Sequence, residues 1–154
     1  MPKIDINKIS RDSITRYPRE FRNIVSGREK QRLGNAAGLT QFGVNLTRLK
    51  PGAASALRHW HRHEDEFVYV VEGELVLVEN DGETILRLGD SAGFKAGVNN
   101  GHCLINRTSR DAVYLEIGTR AASERVDYPD VDCVFERDGT KMVYKRRSGE
   151  PYPD

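Results

Sequence analysis

Asn80-Asp81-Gly82, set between two apolar runs, constrains the fold of this chain more than any other segment. Asn, Asp and Gly tolerate the left-handed backbone that a tight hairpin turn requires, so the segment predicts antiparallel pairing of residues 75–78 with 84–88. Upstream, residues 67–77 are almost continuously apolar around Glu72-Gly73-Glu74, which implies a strand buried on both faces or one that changes sheets at Gly73. Residues 42–49 read as a further strand turned by Pro51-Gly52, Gly89-Asp90 reads as a turn, and residues 102–106 and 112–117 read as strands. No stretch in this region has helical periodicity. Many short strands separated by turn signals define an all-β domain.

All four histidines fall in or near two places on this framework: the run His59-Trp60-His61-Arg62-His63-Glu64-Asp65-Glu66, and His102. Alternate residues of a strand share a face and lie roughly 6.6 Å apart, so two imidazoles at i and i+2 can address one ion. A single histidine is more often a surface or satisfied core residue than a ligand, and the run could be a solvated, charged turn. It leads directly into the apolar strand that starts at Phe67, however, which a solvated face would not do. His59, His61 and His63 have the same parity, so His59/His61 and His61/His63 are both geometrically possible pairs. Glu66 shares a face with Val68 and Val70 whereas Asp65 does not, which makes Glu66 the better carboxylate ligand.

Together these residues resemble a known family. Gly52, His59, His61, Glu66 and Gly73 resemble the first cupin motif, and Gly89, Gly97, His102 and Asn106 resemble the second. The chain departs from the pattern in having six residues between Gly52 and His59, Lys95 where proline is usual, and four residues between Gly97 and His102. The resemblance implies a double-stranded β-helix, or jelly-roll, barrel forming a single domain over residues 1–154, with an N-terminal arm (1–41), a barrel core (42–118) and a C-terminal extension (119–154). It also implies a metal held by His59, His61, Glu66 and His102, with His63 left at the pocket rim. Three imidazoles and a carboxylate suit one divalent transition metal, with iron, manganese, zinc and nickel all open, and leave exchangeable positions on an octahedral ion.

Such an ion serves a metal-dependent enzyme acting on a small polar, anionic molecule. A sugar phosphate (isomerase or epimerase) and a small organic acid (dioxygenase) are the two subtypes the resemblance suggests. A non-catalytic binding or sensor module is the alternative, and a metal kept for structure alone is a third class. Tyr114 and Glu116 share a strand face and are candidate proton donor and acceptor. Arg48 and Lys95, near the turns leading to the ligands, are candidate contacts for an anionic substrate. Trp60 and Tyr69, opposite the ligands by parity, are expected to pack between sheets.

Composition narrows the setting. Lysines and arginines number 24 against 23 acidic residues, a net charge of +1 that gives no electrostatic case for nucleic acid. The N-terminus lacks the apolar run of a signal peptide and no segment has the length needed to cross a bilayer, so the expected site is the cytoplasm. Cys103 and Cys133 are expected to be thiols there, with Cys103 facing away from the metal. The flanks are polar, with a short helix expected near residues 19–25 and a hairpin turn at Arg137-Asp138-Gly139-Thr140. They read as arms that cover sheet edges, across the interface of a homodimer.

Overall fold

The computed structural model describes residues 2–154. Its strands form three antiparallel sheets. The first has the order β1 (Arg28–Arg32), β2 (Phe42–Leu49), β9 (Ala112–Thr119), β4 (Glu66–Glu72), β7 (Ser91–Phe94). The second has β12 (Lys141–Lys145), β11 (Cys133–Asp138), β10 (Ser123–Tyr128) and β3 (Trp60–His61), and the third β6 (Gly82–Arg87), β5 (Glu74–Glu79) and β8 (Cys103–Ile105). Short 3₁₀ turns at Ile6–Lys8 and Arg19–Val25 and the one-turn helix α1 (Leu33–Ala36) complete it. This is the jelly-roll barrel expected from the sequence. No helix among the described residues is long and apolar enough to cross a membrane.

Sequence chemistry explains the main corners. The hairpin closes at Glu79↔Gly82 around Asn80-Asp81, with Gly82 at φ +135°. The apolar run does change sheets at Gly73: β4 belongs to the five-stranded sheet and β5 to the three-stranded one. Gly73 sits at φ +77°, and a Cβ there would lie 2.9 Å from the Asp111 carbonyl oxygen and 3.1 Å from Ala112 Cα. Only glycine accepts that backbone and that approach without strain.

Both flanks carry strands. Residues 2–41 supply β1, which pairs along β2, and Asp12 in turn bridges Lys30 on the outer side of β1. Residues 119–154 supply β10–β12, and β10 pairs with β3 at Val126↔His61. A wall of the barrel beside the histidine run thus comes from the C-terminal segment.

Two apolar cores flank the interior. Leu49, Val68, Val70, Leu75, Leu77, Leu86, Leu104 and Tyr114 pack between the five- and three-stranded sheets. Tyr17, Val25, Val126, Tyr128, Cys133 and Tyr152 pack under the four-stranded sheet. Leu49, Val70 and Leu75 are fully buried, each contributing roughly 1.5–3 kcal/mol relative to exposure. Tyr69 and Trp60 differ from expectation. Tyr69 points outward and is 40% exposed, and Trp60 lies beneath the Arg62 guanidinium, 5.2 Å from its ring centre.

Candidate metal centre

Strand parity sends Glu66 and Val68 of β4, Tyr114 and Glu116 of β9, Asn45 and Thr47 of β2, and Arg28 and Lys30 of β1 to the same inner face, in register across the sheet. His59 and His102 face each other through paired backbone hydrogen bonds of 3.1 and 2.9 Å, and His61 follows on β3. The three imidazoles converge on one carboxylate. Nε2 of His102 lies 2.7 Å from Glu66 Oε2, His59 Nε2 lies 3.5 Å from the same oxygen, and His61 Nε2 lies 3.3 Å from Oε1. Donor atoms of His59, His61 and Glu66 all lie within 4.8 Å of one another.

The hydrogen bonds behind these rings show that the cluster fits a cation. His59 donates Nδ1–H to the Leu57 carbonyl at 2.7 Å, which fixes the ring and turns Nε2 towards the Glu66 carboxylate. A histidine whose Nδ1–H is held by a carbonyl in this way offers Nε2 as its ligand atom. His61 is buried between carboxylates on both sides. Burial alone would favour its neutral form, but Glu124 beside Nδ1 (3.4 Å) and Glu66 beside Nε2 push its pKa up to about 10. The same field attracts a metal ion. Burial opposes ionisation of Glu66, yet His102, His59 and His61 hold its pKa well below the usual carboxylate value. Phe94 fixes the remaining ring, stacked on His102 at 3.5 Å and 2°.

Glu124 went unnoticed in the sequence. Its side chain is fully buried, Oε1 accepts from the amides of Arg62, His63 and Arg125 at 3.2, 3.0 and 2.7 Å, and Oε2 faces His61. Glu64 also approaches His61 Nδ1, at 3.8 Å, and accepts from the Ala121 amide and the Arg137 guanidinium. Both carboxylates thus stand behind His61, where they favour Nδ1–H and leave Nε2 as the atom that would ligate an ion. His63 is 58% exposed and lies on the far side of Glu124, outside the cluster.

The centre opens onto a cavity of about 210 Å³ whose lining includes Tyr114 and Glu116. Glu116 accepts from Lys30 Nζ at 2.7 Å and Asn45 Nδ2 at 3.0 Å, and Tyr114 donates its hydroxyl to Glu116 at 3.3 Å. Burial disfavours the Glu116 carboxylate, but the Lys30 ammonium wins and lowers its pKa. Burial, reinforced by Glu116, raises that of Tyr114 well above the ordinary phenol value. The cavity therefore presents a carboxylate and a neutral phenol in contact, an acceptor and a donor of protons.

The comparisons with known proteins agree with this geometry. A cupin-domain family profile matches residues 45–118. The crystal structure of a protein from Silicibacter pomeroyi, described as a sugar phosphate isomerase from a cupin superfamily, is 45% identical over 99% of this chain and 97% of its own, with a TM-score of 0.95.

The chain belongs to the cupin superfamily.

A candidate sugar phosphate isomerase from Acidithiobacillus ferrooxidans is 30% identical over 80% of both chains, at TM-score 0.75. A predicted oxalate decarboxylase from Thermotoga maritima, at 21% identity and TM-score 0.62, shares the cupin fold alone. No match is found among functionally curated proteins. The lengthened cupin motif before His102 is accommodated by the hairpin turn. Asn80 takes hydrogen bonds from the Gly101 amide (3.2 Å) and gives them to the Asn99 carbonyl (3.0 Å) and, through its amide, to Asn100 (3.0 Å).

The cations expected to meet substrate divide. Lys95 borders a second cavity on the Trp60 side of the centre, shared with His61, Glu66 and His102. Arg48 does not reach the interior, a correction to the sequence reading. Thr47 and Leu49 occupy the inward positions of β2, so Arg48 points outward, where it pairs with Asp111 at 3.3 Å. The interior cations are instead Arg28 and Lys30, from the N-terminal flank. The alternation Arg28, Lys30, Arg32 is the trace of them in the sequence.

Proposed function

We propose that this cupin is a metal-dependent isomerase of a sugar phosphate. The observation that carries the reading is the pairing of an intact four-residue cluster with the Tyr114–Glu116 couple in one cavity, in a chain 45% identical over nearly its whole length to a protein described as a sugar phosphate isomerase. His59, His61, Glu66 and His102 would hold one divalent ion, which would polarise the carbonyl oxygen of a bound open-chain sugar and so acidify the adjacent C–H.

The chain supplies the proton transfers. Glu116, anionic and buried, is placed to take the proton from the carbon next to the carbonyl and return it to the neighbouring carbon. Tyr114, neutral, is placed to exchange a hydroxyl proton with the substrate oxygens. The sum is an aldose–ketose interchange with no oxidant consumed. Lys30 and Asn45 keep Glu116 oriented. The aromatic side chains of Tyr17, Phe94, Tyr128 and Phe135 line the same cavity.

The buried, free thiols of Cys103 and Cys133 suit a reducing compartment, and we place the protein in the cytoplasm as a homodimer. The test is turnover of a panel of aldose and ketose phosphates under nitrogen, with oxygen uptake followed in a parallel aerobic assay. Anaerobic interconversion of one pair supports the isomerase. Substrate-dependent oxygen consumption would select the dioxygenase, and tight binding without turnover in either assay the binding module.

A further inference from the structure

We infer that the barrel mouth holds a dedicated phosphate-monoester site built on Arg16 and Arg28, at the opposite end of the cavity from the metal cluster. The inference rests on the isomerase reading for its ligand, a sugar phosphate, and on separate observations for its place.

A mouth cavity shares Tyr17, Arg28, Lys30, Tyr128 and Tyr144 with the cavity that contains the histidines, so the two spaces adjoin. Arg16, Arg28, Lys30 and Arg32 line the mouth, and no Asp or Glu does. Two of these cations are already neutralised: Lys30 by Glu116 at 2.7 Å and Arg32 by Asp12 at 3.1 Å. Arg16 and Arg28 have no carboxylate partner among the described residues. Arg28 donates to the main-chain carbonyls of Ser55 at 2.6 Å and Ile14 at 3.4 Å, which fix the guanidinium without cancelling its charge. Arg16 rests only on the Met142 sulfur, at 3.2 Å.

Two uncompensated guanidiniums facing one half-enclosed space match a phosphate monoester, which carries about −1.5 to −2 at neutral pH and takes planar, two-pronged donors. Thr15, Asn35 and the Tyr144 phenol in the same lining supply neutral donors for remaining oxygens. The chemistry orients the substrate: its phosphorylated end stays at the mouth between Arg16 and Arg28, and its carbonyl end reaches Tyr114, Glu116 and the metal cluster. Such anchoring discriminates against the unphosphorylated sugar, because a neutral hydroxyl leaves both cations without a partner.

The test uses the metal-loaded protein and inorganic phosphate. Calorimetric titration is run on the wild type, Arg16→Gln, Arg28→Gln and Arg28→Lys, with metal content measured on each. Phosphate should bind the wild type and weaken at least 10-fold in Arg16→Gln and in Arg28→Gln, with partial retention in Arg28→Lys and unchanged metal content. Arg16 is exposed, so its replacement leaves the fold intact even if Arg28→Gln does not fold. Absence of phosphate binding by the wild type, or affinity unchanged in Arg16→Gln, would overturn the site. With a sugar phosphate substrate the same variants should raise KM far more than they lower kcat, and an unchanged KM also overturns it. Arginine-dependent phosphate binding without any turnover would leave the site standing and remove the isomerase reading, and turnover indifferent to both arginines would do the reverse.

Discussion

At the residue scale the site turns on one carboxylate and the rings around it. Alanine at His59, His61, Glu66 or His102 should strip the metal on dialysis, whereas His63→Ala, at a side chain that is 58% exposed and outside the cluster, should retain it. Elemental analysis of the dialysed variants checks this, and loss of metal from His63→Ala alone would move the site by one alternate residue. Glu124→Gln keeps an oxygen for the three backbone amides but removes the charge behind His61. Metal affinity, read by competition with a chromophoric chelator, should fall about 10–100-fold, and an unchanged affinity would make Glu124 purely structural. The four cluster residues were legible because strand parity and motif spacing agree. Arg48 was misplaced because β2 is apolar on both faces: Val44 and Leu46 point out while Leu49 points in, so parity alone did not say which side carries the cavity. Glu124, Arg28 and Lys30 escaped because pairings between distant segments, β10 with β3 and β1 with β2, bring them to the site.

At the scale of elements, the fold was readable wherever turn chemistry and apolar runs coincide. Residues 42–49 form a strand as expected, and Asn80-Asp81 makes the hairpin. The flanks hid β1 and β10, since these strands alternate with charged residues and their apolar faces are short, whereas the Arg137-Asp138-Gly139-Thr140 turn closes the β11–β12 hairpin at Asp138↔Lys141 as expected. Gly73→Ala should cost more than about 1 kcal/mol, from the positive φ and the 2.9 Å approach to Asp111, and urea unfolding would show it as a lowered midpoint. The outer face of the C-terminal sheet carries a charge ladder, Arg62–Asp127 (2.9 Å), Arg125–Asp127 (3.3 Å), Arg125–Glu136 (2.9 Å) and Lys145–Glu136 (2.7 Å). Burial opposes the charge on Asp127, but Arg62 and Arg125 lower its pKa, and Lys145 lowers that of Glu136. A lowered folded pKa adds stability above the unfolded value, so the ladder's contribution should be present at neutral pH. It should begin to fall below about pH 4 and vanish once the pH passes below the folded values. Asp127→Asn should flatten that part of the stability–pH curve, and an unaltered curve would show that the ladder contributes nothing.

For the whole molecule, the outer face of the five-stranded sheet bears two apolar rows in cross-strand register, Val44–Ile117–Phe67 and Leu46–Leu115–Tyr69. Phe67 and Tyr69 are 41% and 40% exposed. A contiguous apolar sheet face of this kind suits a self-complementary contact, and light scattering should give a dimer at micromolar concentration that Tyr69→Glu converts to monomer. A monomeric wild type would remove the dimer. Under the proposed function the barrel, the cluster and the mouth would act as one device: metal end, proton-transfer couple, anion end. The measurement that tests it most directly is a metal titration of chelator-treated protein, with anaerobic sugar phosphate isomerisation as readout. Turnover should be absent in the stripped protein, rise linearly with added divalent metal and level off at one ion per chain, with His61→Ala showing no rise. Full turnover in stripped protein, or none at one equivalent of any of iron, manganese, zinc or nickel, would contradict the account.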